Sequence, residues 1–203
     1  MLEEKAFQSL KTSSQQFGKL LGEPQREEDG FLFPTADLPL SHFYIRYDTE
    51  RKFLGKIFVM TVEGGIPRAD LPPAPERIEL RYSGCIRKGK PYFVSLPSKK
   101  ATTPGYGVLL LLNGDSSLIE QCWKLEIEFL RLFFDPGEKI WKVQVRPYGG
   151  SFIKILLPPL HYHVGLVQEQ AELIVSVMKR IGELLGSTNL QAPNYKQYPN
   201  SNF

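Results

Sequence analysis

The run LIEQCWKLEIEFLRLFF, Leu118 to Phe134, decides how the chain is built because it fits two periods at once. As a strand, Trp123, Leu125, Ile127 and Phe129 alternate with Lys124, Glu126 and Glu128, the pattern of a half-buried ribbon. As a helix, Glu120, Gln121, Lys124, Glu128 and Arg131 gather in one polar sector opposite the apolar residues, with only Glu126 out of place. Local signals favour the helix. Asn113-Gly-Asp-Ser-Ser117 ends a preceding strand and supplies caps, Ser117 and Glu120 stand at capping-box spacing, and Asp115 suits a positive helix end. Glu120/Lys124 and Lys124/Glu128 are opposite charges four apart, the segment has no Val or Thr, and Asp135-Pro136-Gly137 stops it. The spacing therefore predicts a central packing helix over Leu118 to Phe134.

Upstream, Gly107-Val-Leu-Leu-Leu-Leu112 reads as a strand buried on both faces. Residues 2 to 21 read as an amphipathic helix with Phe7, Leu10, Phe17 and Leu21 on one side, interrupted by Ser13 and Ser14, so that it lies at a sheet edge. Phe31 to Phe33 is a short apolar piece. His42–Tyr47 with Lys56–Val62, and Arg77–Ser83 with Pro91–Leu96, alternate as two hairpins. Between them Gly64 to Glu76 is a stiff loop in which four prolines forbid helix and strand alike. Downstream, Lys139–Arg146 and Ser151–Leu157 form a third hairpin through Pro147-Tyr-Gly-Gly150. Leu166 to Leu185 carries Ile174, Val177, Ile181 and Leu184 on one helical face and stops at Gly186.

This order predicts an α+β fold: one antiparallel sheet of about seven strands built from hairpins, packed against N-terminal, central and C-terminal helices. The alternative, with Leu118 to Phe134 extended, is a meander of about eight strands or a small barrel with flanking helices. A chain of 203 residues is one domain by size, here 1–186, followed by a polar tail over 187–203 that is expected to be loosely held. With 42% apolar and 23% charged residues it is an ordinary globule, and no apolar run reaches the length of a membrane span. Met1-Leu-Glu-Glu-Lys5 lacks the basic start and oily core of a signal peptide, so the expected compartment is the cytoplasm.

Charge is uneven: residues 1–80 hold 10 basic and 13 acidic side chains, −3, and residues 81–203 hold 15 and 9, +6. No acid stands between Leu80 and Gly114, while Arg81, Arg87, Lys88, Lys90, Lys99 and Lys100 do. With Tyr92 they form a basic-aromatic hairpin over 81–100, the composition with which sheet modules hold single-stranded nucleic acid or another anion. The pI of 8.8 is modest for a dedicated binder. A second span without acids, Lys139 to Gln168, carries Lys142, Arg146 and Lys154 as well as Lys139.

No set of residues announces catalysis. His161 and His163 point the same way in an extended segment and are weak metal candidates, because a site needs further ligands from His42, Cys85 or a carboxylate. Cys122 reads as a core thiol, and Cys85 as a semi-exposed thiol beside Arg87 and Lys88. Glu126 inside an apolar helical face would be a candidate acid or base, with Arg146 as a counter-charge. Nucleophile elbows and phosphate loops are missing. The expectation is a non-catalytic cytosolic interaction module without cofactor that docks on a protein partner through the proline loop 64–76, the basic hairpin or the tail. Alternatives are a nucleic-acid binder and a ligand-holding barrel or enzyme.

Overall fold

Both readings of the deciding segment hold, each for half of it. A computed structural model of the chain describes residues 3–67, 77–84, 89–96, 106–135 and 137–186. In it Leu118 to Lys124 belongs to a helix, Ser116–Lys124, and the chain then extends into a strand, Ile127–Asp135. Leu125 and Glu126 form the joint, so the residue that fitted neither face of a continuous helix marks where the helix ends. The predicted single helix is thus corrected. Its first half keeps the capping logic, shifted by two residues: Asp115 is the N-cap and accepts from the Leu118 N–H at 2.7 Å. The Glu120–Lys124 pair closes at 2.8 Å.

The described elements are α1 (Glu4–Leu21), β1 (Gln25–Arg26), β2 (Gly30–Phe33), β3 (His42–Lys52), β4 (Gly55–Pro67), β5 (Arg77–Tyr82), β6 (Pro91–Ser95), α2 (Tyr106–Gly114), α3 (Ser116–Lys124), β7 (Ile127–Asp135), β8 (Ile140–Pro147), β9 (Phe152–Ile155), β10 (Leu160–His163) and α4 (Gln168–Gly186). The strands make one antiparallel sheet in the order β1-β2-β3-β4-β8-β7-β5-β6, with β9 on β4 and β10 on β9. It is open, since its ends, β1 and β6, do not meet. The fold is therefore α+β with a single antiparallel sheet and four described helices, and the barrel alternative is set aside. The ten described strands exceed the expected seven because short pieces (β1, β2 and β10) and the second half of the deciding segment join the sheet.

Alternation places Ile45, Tyr47, Met60, Val62, Val143, Val145, Leu130, Leu132, Ile78 and Leu80 on one face, where all are buried. The helices cover that face. α4 contributes Ile174, Val177, Met178 and Ile181, and α1 contributes Phe7, Leu10 and Phe17, the last packed on Phe33 and Phe43. α1 therefore lies across the sheet rather than beside its edge, and Ser13 and Ser14, which interrupt its apolar stripe, are buried.

Three further expectations are corrected. Gly107 to Leu112 is not a buried strand: it lies in α2, with Val108 and Leu112 buried one turn apart and Leu110 66% exposed. Leucine is a strong helix former, and the run holds a single β-branched residue. The strand ladder of β4 runs on through Gly64, Gly65 and Pro67, where the stiff loop was expected, and residues 68–76 lie outside the described ones. Glycine is needed at 64 because a Cβ there would stand 2.6 Å from Met178 Cε and 3.2 Å from Leu40 Cδ1, which lets α4 sit close to the sheet. Finally, β8 and β9 do not pair with each other. They lie end to end along β4, with β8 opposite Val62 to Pro67 and β9 opposite Gly55 to Phe58.

Candidate interaction surface

None of the described helices covers the other face of the sheet, and most of that face is a ladder of paired charges. Arg146 reaches Asp48 and Glu50 at 3.1 Å each and Glu128 at 3.5 Å, while Arg131 reaches Glu79 at 2.8 Å. Phe129 lies beneath both guanidinium groups, 3.8 Å from Arg131 and 4.8 Å from Arg146. Gln144 donates to Glu63 at 2.8 Å, and the neighbouring His42 helps hold that carboxyl below its ordinary range. The charges satisfy one another across neighbouring strands, as on a solvated sheet face.

The pattern changes at one corner. The joint Pro147 to Ser151 turns the chain out of β8, with Gly150 at φ +82° donating its N–H to Val164 and accepting from Tyr47 Oη at 2.7 Å on its carbonyl. Beyond it, β9 and β10 extend the sheet beside the β3–β4 tip. By register, Ile57, Ile153, Ile155, Leu160 and Tyr162 share the open face. The two hairpin tips touch, since Leu156 N–H donates to the Leu54 carbonyl at 2.8 Å. Phe53 there is 99% exposed and Leu157 is 75% exposed, while Leu54, Leu156, Leu160 and Tyr162 are each more than half exposed. A lone exposed leucine means nothing, but six large apolar side chains on or beside two adjoining tips form a patch that the described residues leave uncovered.

Cations stand behind the patch. Glu3 bridges Lys56 at 3.0 Å and Lys154 at 2.6 Å, and those two lysines hold its carboxyl below the usual range. Arg51 and Lys52 close the β3 side, Lys52 bridging Glu50 at 2.9 Å.

The sequence-predicted sites fare unevenly. Arg81 shares Glu79 with Arg77 and Arg131, so three guanidinium groups surround one carboxylate and the cluster keeps a net positive charge. Lys90 and the exposed Tyr92 line a shallow hollow with Ser83, Asn113 and Ile119. Arg87, Lys88, Lys99 and Lys100 lie outside the described residues, as do Cys85 and the tail 187–203. His161 and His163 do lie on one face of β10, but they face α1: His161 Nδ1 is 3.3 Å from Lys5 Nζ and His163 Nδ1 is 2.5 Å from Ser9 Oγ. Ser9 in turn meets Tyr47 Oη at 3.0 Å, so the second histidine ties α1 to the joint at Gly150. His42 pairs instead with Glu63 at 3.9 Å, and no three His, Cys, Asp or Glu side chains converge among the described residues. Glu126 is exposed and, contrary to expectation, is not on an apolar helical face; Arg146 is engaged elsewhere. Cys122 is buried, as expected.

A groove of about 650 Å³ between α1 and β1–β2 is lined by Phe7, Lys11, Lys19, Arg26 and Phe31. Arg26 already covers the Phe7 ring at 4.2 Å.

Sequence reasoning missed the apolar corner because its residues are far apart in the chain. The signal was present, however: Phe53-Leu54 occupies a two-residue turn, where Asn, Asp or Gly is usual.

The architecture defines an open-faced α+β sandwich with an exposed apolar corner. Residues 15–185 match the model of the family described as "Protein of unknown function (DUF3156)", and the chain belongs to that family. No curated protein and no solved structure matches it. Among the described residues no helix is long and apolar enough to cross a membrane.

Proposed function

We propose that the protein is a non-catalytic cytoplasmic interaction module that docks on a protein partner through the corner formed by the β3–β4 and β9–β10 tips. The supporting observation is that Phe53, Leu54, Leu156, Leu157, Leu160 and Tyr162 are each more than half exposed on or beside two tips joined by the Leu156–Leu54 hydrogen bond. Water contact with such a patch costs free energy that docking returns, at roughly 25 cal/mol per Å² of apolar surface covered. This moves the docking surface from the proline loop, basic hairpin and tail expected from sequence to a site assembled by the fold.

The test is site-specific photocrosslinking in the source cells. A photoreactive residue at Phe53 or Leu157 should yield a discrete protein adduct, and one at Tyr92, on the basic hairpin, should not. Adducts only from position 92, together with salt-sensitive retardation of single-stranded DNA, would replace this reading with the nucleic-acid one.

A further inference from the structure

We infer that the partner at this corner is a second copy of the chain, joined antiparallel through the free edge of β10 into one continuous sheet. The inference rests on the docking reading above and names its occupant.

Every sheet edge carries main-chain groups that can pair with another strand, and folded proteins blunt them. Two edges here are blunted. At β6, Asn113 at the end of α2 accepts from the Phe93 N–H at 2.7 Å and donates to the Phe93 carbonyl at 2.9 Å, so a side-chain amide occupies the place of a further strand. At the other end β1 has only two residues and runs into Glu27-Glu28-Asp29.

The edge of β10 is treated differently. Val164 N–H donates to Ser151 at 2.8 Å, so residue 164 faces the β9 side. By the alternation of an antiparallel ladder Leu160 and Tyr162 also face β9, and His161 and His163 turn their N–H and C=O groups to the free edge. Among the described residues no other main-chain group meets them there. The strand itself holds no Lys, Glu, Asp or Pro, the residues that discourage self-pairing, and Pro158-Pro159 just before it confine the pairable stretch to Leu160–His163.

The chemistry of the edge is self-complementary. A two-fold axis at Tyr162 sets His161 of one copy opposite His163 of the other, which satisfies both pairs of outward groups. It also brings the Tyr162 rings together on the open face, beside Leu160 of each copy. Each apolar tip then lies at an outer end of the seam, beside the residues that follow β10 of the other copy, while Leu160 and Tyr162 of both copies are covered at its centre. Such an isologous contact closes at two subunits and does not propagate into fibres.

The experiment measures molar mass by light scattering and Kd by sedimentation over a range of protein concentrations. Wild type is expected to be a dimer at micromolar concentration. His161→Pro removes an edge N–H without touching the β9 ladder, and Tyr162→Lys places a charge at the two-fold axis. Each should weaken dimerisation by about tenfold or more, with circular dichroism and thermal midpoint preserved. A wild-type monomer at tens of micromolar, or a dimer that survives both substitutions, overturns the inference. The crosslinker at Leu157 separates the two levels. A monomer that still gives an adduct with a different protein refutes the second copy and keeps the docking reading, while a monomer with no adduct refutes both.

Discussion

Asp115 joins two helices of the helical layer, α3 and α4. One carboxylate oxygen caps α3 at the Leu118 N–H, and the other holds the Arg180 guanidinium of α4 at 2.5 Å. Arg180 is the main cause of the depression of this carboxyl below its ordinary value of 3.8, and the bond from the Leu118 N–H adds to it. A depressed folded-state pKa contributes stability above the unfolded value, and the contribution is lost as pH falls through the folded one. Asp115→Asn retains a good cap and removes the ion pair, whereas Asp115→Ala removes both. The alanine variant should lose about 1 kcal/mol or somewhat more in urea unfolding at neutral pH. The asparagine variant should lose less. Its deficit relative to wild type should shrink once the pH is well below 3.8, because the wild type has then lost its charge as well. A deficit that persists unchanged in acid would remove the ion pair from the explanation.

At the scale of elements, packing between α4 and β4 depends on what is missing from the strand. Gly64→Val would push a branched side chain into the space of Met178 and Leu40. Overpacking of this kind typically costs about 1–3 kcal/mol, read as a lower thermal midpoint. Gly64→Ala should cost less, because the nearest atom is the flexible end of a methionine. Elements whose pattern is local were legible in the sequence: α1, α4 and the pairing of β3 with β4 and of β5 with β6 follow from periodicity, although the β3–β4 tip, expected to be charged over Asp48 to Lys52, is the apolar Phe53-Leu54 because 48–52 continue the strand. Two kinds of information were not. A leucine-rich run such as Gly107 to Leu112 has no period that separates a buried strand from a buried helix, so the helix preference of leucine was outweighed by a pattern that fits both. Pairing is also non-local: Pro147-Tyr-Gly-Gly150 looks like a hairpin turn, yet β4 is long enough to bond with both β8 and β9 and takes each at a different end. The Leu118 to Phe134 segment failed for a third reason, since a window laid across a change of conformation averages two true signals into one false one.

For the whole molecule, the layered plan separates stability from recognition. The core lies between the helices and the inner face, while the apolar corner projects from the far end of β4 and contributes little to that core. Phe53→Ser combined with Leu157→Ser should therefore change unfolding free energy by no more than about 0.5 kcal/mol. The same double variant should bind less of a hydrophobic dye such as ANS and lose the crosslinked species. A large fall in stability would mean that the tips belong to the core after all. The candidate surface was scarcely visible in the sequence, because residues near 53 and near 157 become neighbours only once β9 has taken its place on β4.

The branching at β4 also governs how damage spreads. The arm β8-β7-β5-β6 and the arm β9-β10 each hang from the same ribbon and share almost no ladder with one another, so a lesion in one need not be felt in the other. Changes to Gly55–Pro67 have no such refuge: that ribbon is a trunk, and felling it brings down both limbs.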